Sequence, residues 1–164
     1  MNAAWSRGIV RRGLALVVLA CAVTWAPACG DDKKPKKVKV SVVVILASEK
    51  GGKIDKKLEC IAKEVQKMHP KLTNFELGNM GCQSLDLRKL GQFDLVENQT
   101  ADVTILETAD KMGRVCLKVA PPEMGEITYS TPCGKFLPIL TPYRTKKDQL
   151  LIIAIRVQPC NGGK

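Results

Sequence analysis

A chain of 164 residues has room for one well-formed core and little more, because single domains run roughly 100–200 residues. A composition that is 45% hydrophobic and 26% charged excludes a disordered chain, which stays unfolded only when it has too little apolar surface to bury. The formal charge of +10 raises nucleic acid as a partner, but no basic strip with interleaved aromatics accompanies it, and exclusion of nucleic acid is the expectation.

The first 28 residues carry Arg7, Arg11 and Arg12 and no acid, then the apolar LALVVLACAVTW at 14–25, then the small-residue exit APA. That order of basic, apolar and small segments is a secretory signal peptide, expected over 1–28. A transmembrane helix is the rival reading. Its uncharged run at positions 13–28 holds only 16 residues, short of the about 20 needed to span the hydrocarbon layer. Removing the leader takes away three arginines and lowers the charge from +10 to +7.

The leader ends in Ala26, Pro27, Ala28 and Cys29, which resembles the lipobox of bacterial lipoproteins. The resemblance covers residues 1–29 only and implies a diacylglycerol on Cys29. Ala28 fits that pattern, Ala26 stands where leucine is usual, and Pro27 departs from it. A second box, Val18, Leu19, Ala20 and Cys21, leaves an apolar region of barely two helical turns. Ordinary signal peptidase also accepts the same cut, because Ala26 and Ala28 satisfy its small-x-small rule; it releases a periplasmic protein without lipid. In enteric lipoproteins an aspartate directly after the cysteine signals inner-membrane retention. Gly30 holds that place here, so the resemblance implies an outer-membrane or surface location. Each buried acyl methylene contributes about 0.8 kcal/mol, and more than one chain makes anchoring durable.

Residues 29–37 read as a charged tether: Lys33, Lys34, Lys36 and Lys37 surround Pro35, with Asp31 and Asp32 in opposition, a composition that stays solvated and extended. The folded domain is expected over 38–164. VKVSVVVILA at 38–47 is nearly continuous in apolar character, as in a strand buried on both faces. Ile54, Leu58, Ile61, Val65 and Met68 then recur at steps of four, three, four and three, ahead of Pro70, predicting an amphipathic helix. Cys60 falls outside that seam. LTNFELG, SLDLRKL, QFDLVEN, ADVTILE and RVCLKVA follow, short alternating segments closed by Gly, Asn, Asp or Pro, hence a meander of half-exposed strands. Five prolines interrupt 121–147, so residues 126–130 and 135–140 read as edge strands joined at PCG. QLLIIAIRV at 149–157 is a second continuous apolar strand, expected beside the first. The fold class is α+β: one amphipathic helix packed on a largely antiparallel sheet that can curl into a second layer.

Cys60, Cys82, Cys116, Cys133 and Cys160 lie beyond the leader, and an oxidising compartment favours pairing them as disulfides. Five is odd, so with Cys29 acylated at least one thiol stays over. Their spacing contains no C-x-x-C and no neighbouring histidine, which argues against zinc, and no metal or cofactor is expected. His69 is the single histidine and precedes Pro70; a helix-end residue is its natural reading. No serine stands in G-x-S-x-G, and EKGGKID lacks the spacing of a phosphate loop. Trp5 and Trp25 both lie in the leader, which leaves few aromatic platforms for sugars. A candidate interaction surface remains in PYRTKK, with Tyr143, Arg144, Lys146 and Lys147. The expectation is a lipid-anchored, exported, non-enzymatic envelope protein that acts as an interaction or structural module and meets the membrane and another envelope protein. The alternative is an envelope enzyme, thiol-dependent or hydrolytic.

Overall fold

A computed structural model describes residues 37–159. The expected leader, Cys21, Cys29, the tether before Lys37, and Cys160 lie outside the described residues. The described chain is mixed α+β, with one α-helix and two antiparallel sheets of four strands each. Strand β1 is Val38–Ser48, and a 3-10 turn at Lys56–Leu58 leads into helix α1, Glu59–Met68. Strands β2 (Asn74–Leu85), β3 (Leu90–Asp94), β4 (Thr100–Glu107) and β5 (Arg114–Ala120) follow. The last three are β6 (Ile127–Pro132), β7 (Phe136–Arg144) and β8 (Leu150–Pro159).

The first sheet has the order β2-β1-β8-β7 and the second the order β3-β4-β5-β6. The second is the expected meander. In the first, β8 lies antiparallel beside β1, with Val42 opposite Ile155 and Ile45 opposite Ile152, so the two continuous apolar segments are indeed neighbours. Period-two geometry explains why both read as apolar throughout. Val38, Val40, Val42 and Val44 of β1, with Leu151, Ile153, Ile155 and Val157 of β8, enter a buried cluster with Phe93, Val103, Ile105, Val115, Leu117 and Val119 of the second sheet. The alternate residues Val43, Ile45, Ala47, Ile152 and Ala154 enter another cluster, with Phe75, Leu58, Ile61, Ala62 and Val65.

Several boundaries differ from expectation. Glycine was expected to end LTNFELG, yet β2 runs on through Gly78 and Gly81. A Cβ on Gly78 would stand 3.1 Å from Val96 Cγ1, and one on Gly81 would stand 3.1 Å from Phe93 Cδ1. These glycines mark close approach of β2 to the second sheet rather than chain termination. A register shift between Val44 and Ile45 skips Gly78, the position of a bulge. Most of SLDLRKL is then the turn between β2 and β3, with Arg88 at φ 61°. The helix begins at Glu59 rather than Ile54; Asp55 caps the preceding turn, accepting from the Lys57 N–H at 2.9 Å. Met68, placed on the buried stripe by spacing, is 57% exposed; it is the last residue of the helix, one turn beyond the buried Val65. Strands β6 and β7 are edges joined through Cys133 and Gly134, as anticipated, but they belong to different sheets.

Candidate functional site

Strand β1 delivers the chain to one end of the molecule at Ser48, and four connections gather near that end. After β1 the chain turns back over Asn74: Thr73 N–H donates to Ser48 O at 3.0 Å, and Thr73 Oγ1 to Glu49 O at 3.1 Å. Gly51 makes this turn at φ 114°, with Asn74 side-chain atoms 3.2 Å from where a Cβ would stand, so a side chain is both strained and crowded there. The β7–β8 connection closes through Thr145 N–H to Gln149 O at 2.9 Å and Asp148 N–H to Thr145 O at 2.8 Å.

Between these connections lies a polar cleft of about 490 Å³ lined by Lys50, Asn74, Glu76, Arg144, Lys147 and Gln149, among others. Glu76 is one of its charged lining residues. Asn74 Nδ2 donates to its Oε1 at 3.1 Å and Gln149 Nε2 to its Oε2 at 3.2 Å. Those bonds, Asn74 first, with Lys147 and Lys53 adding attraction, hold the Glu76 carboxyl below its ordinary pKa. A carboxylate so held is a poor proton donor or acceptor near neutrality; it is a fixed negative charge. Arg144 Nη1 donates to Asp148 Oδ1 at 3.1 Å within the β7–β8 connection. Among the described residues no group of three or more His, Cys, Asp or Glu is placed to hold a metal. The cleft therefore offers both charge signs and amide donors in one concavity, suited to recognising a polar, charged surface.

The four residues singled out in PYRTKK divide between two tasks. Arg144 and Lys147 line the cleft. Tyr143 and Lys146 instead serve an adjoining clamp on the turn between β3 and β4. Glu97 and Asn98 stand there at φ 51° and 61°, with Gln99 N–H donating to Val96 O, the left-handed pair of a tight hairpin turn. Tyr143 Oη donates to Glu97 Oε2 at 2.7 Å, and the Lys146 backbone N–H to Oε1 at 3.0 Å. The Tyr143 bond, then the Lys146 bond, lowers the Glu97 pKa, and the same Tyr143 bond raises that of the phenol. Sequence reasoning missed Glu76 and Glu97. Asn74 is only two residues from Glu76, but Gln149 lies 73 residues from Glu76 and Tyr143 lies 46 from Glu97, and no local pattern announces such long-range pairings.

The cysteines are distributed over separate elements and are free at Cys60, Cys82, Cys116 and Cys133. Cys60 is exposed on α1, at the rim of a groove of about 700 Å³ shared with Met68, Phe136 and Pro138. Cys82 is exposed on β2, its Sγ 3.6 Å from Ser41 Oγ. Cys116 is half-buried on β5, and Cys133 packs against the core shared by the two sheets. Burial, with Asp110 nearby, pushes the Cys133 thiol pKa up, away from the lowered value a reactive thiol needs. His69 is exposed at the helix end, its N–H donating to Val65 O. No protein-family model matches the chain, and neither a curated protein nor a solved structure is significantly similar to it.

Proposed function

We propose that this chain is an exported, lipid-anchored, non-enzymatic envelope protein whose domain binds another envelope protein through the cleft at the Ser48 end. In this reading Cys29 carries the lipid, residues 29–37 form the tether, and α1 covers one face of the first sheet as a stiffener. The observation that carries the proposal is the direction of β1. The described chain enters at Lys37, and eleven residues of strand separate it from the cleft, a distance of roughly 35 Å at about 3.3 Å per residue. Strand β8 runs antiparallel to β1, so the last described residues return to the Lys37 end. An anchor at one end and a charged cleft at the other is the geometry of a module held at a membrane and presented away from it.

The test is made on native protein extracted from the envelope in detergent. Its intact mass is expected to lack residues 1–28 and to carry added acyl mass. Cross-linked partners are expected to be captured by the parent chain and lost in the double variant Arg144→Ser with Lys147→Ser. A mass that begins at Met1 rejects the anchored reading. Unchanged partners in the double variant reject the cleft.

A further inference from the structure

The two sheets have four edges: β2 and β7 in the first, β3 and β6 in the second. Exposed edges invite pairing with another strand unless they are blunted. On one flank β2 and β3 are stitched together, because Asn79 Nδ2 donates to Asp94 O at 3.0 Å and Gln83 Nε2 to Gln92 O at 2.6 Å. The outward carbonyls of Gln92 and Asp94 on β3 are thereby occupied. On the other flank β7 carries Pro138 and Pro142, which have no N–H to offer.

Strand β6 has neither protection along its middle. Asp110 uses both backbone groups of Arg114: Arg114 N–H donates to Asp110 Oδ1 at 2.8 Å, and Asp110 N–H to Arg114 O at 2.9 Å. Arg114 therefore turns its backbone toward the β4 side, and alternation makes Val115, Leu117 and Val119 the residues bonded to β6. Their partners are Thr131, Tyr129 and Ile127. The continuing bond from Cys133 N–H to Gly113 O has the same parity. Thr128 and Ser130 consequently turn their N–H and C=O groups outward, and among the described residues no backbone partner takes them. Ile127 and Tyr129 pack against the shared core, so this edge is anchored by its inward side chains.

We propose that β6 pairs with β6 of a second copy of this chain, antiparallel about a two-fold axis at Tyr129. That register sets Thr128 opposite Ser130 of the partner subunit, both outward-facing, and makes four main-chain hydrogen bonds around the axis. It also sets Glu126 opposite Pro132 of the partner subunit, where the missing N–H ends the ladder. The occupant is chosen by this self-complementarity and by charge. β6 itself contains no charged residue, so nothing repels at the seam. Arg114 is register partner of Pro132 and is exposed, so each Arg114 lies two strand spacings, about 10 Å between Cα atoms, from the partner's Glu126. Two long side chains close that gap. Glu126 and Arg114 lie on the same sheet face, since Glu126 already reaches Lys118 at 2.9 Å. The result is a continuous eight-stranded sheet made from two second sheets.

The experiment is sedimentation of the full chain in density-matched detergent at micromolar concentrations, and it does not depend on the proposed function. The parent is expected to be a dimer. Thr128→Lys with Ser130→Lys sets like charges opposite each other across the seam and is expected to weaken the dimer by at least about tenfold, with circular dichroism unchanged and a modest loss of melting temperature from the lysine now opposite Lys118. Glu126→Arg alone is expected to weaken it, and adding Arg114→Glu to restore it. A parent that sediments as a monomer, or a dimer indifferent to the lysine pair, overturns the proposal.

Discussion

Gly91→Ala probes how closely β2 and β3 approach. A Cβ on Gly91 stands 2.5 Å from Leu85 Cδ2 and 2.7 Å from Cδ1, against a comfortable carbon separation of about 3.5–4.0 Å. Roughly 1 Å must be found. Leu85 is buried within the shared core, so turning its methyls away crowds their neighbours, and overpacking of this kind costs about 1–3 kcal/mol. An alanine in a strand is favoured over glycine by roughly 0.5–1 kcal/mol, which offsets only part of the clash. The net destabilisation is about 0.5–2 kcal/mol, a Tm drop of roughly 2–8 °C for a domain of this size. Leu85→Ala alone leaves a cavity and costs about 2–4 kcal/mol. In the double variant the new methyl enters the vacated space, so the two effects sum to at least about 1 kcal/mol less than their separate costs. Thermal and urea melts of the four chains measure this cycle. A Gly91→Ala chain that melts with or above the parent, or strictly additive effects, refutes the packing argument.

Glu97 has a folded pKa below its unfolded value of about 4.3, so its contribution to stability is present above that value and fades as pH falls through the folded one. The urea midpoint is therefore expected to decline on acidification below about pH 4.3, and less steeply in Glu97→Gln. Tyr143, raised by the same bond, loses its part as pH climbs past the ordinary phenol value of about 10, which a parallel melt on the alkaline side reports. Ile61→Ala truncates a residue of the buried cluster that also holds Val43 and Ile152 and is expected to cost about 2–4 kcal/mol; Met68→Gln, at an exposed position, should stay within about 0.5 kcal/mol. Thiol labelling of the native protein followed by mass mapping is expected to find Cys60 and Cys82 first and Cys133 last; early labelling of Cys133 contradicts its placement against the core.

What the sequence determined by itself was the set of features with a local signature. Val115, Leu117 and Val119 alternate with Cys116 and Lys118, and β5 occupies those residues with that alternation of burial. The two unbroken apolar segments, β1 and β8, had to be strands wetted on neither face, and each divides its side chains between two clusters. The helix was legible from Leu58, Ile61 and Val65, while Met68 shows where periodicity stops being informative: spacing says which residues share a side, not whether anything lies over it. Tertiary structure alone decided the rest. Whether Gly78 and Gly81 end a strand or admit a neighbour depends on Val96 and Phe93, and whether Tyr143 is a surface anchor or a strut depends on Glu97, 46 residues away. The physical reason is that dihedral preference and amphipathic period are properties of adjacent residues, whereas a carboxylate's partners, a groove and a free edge arise only when segments distant in the chain are brought side by side.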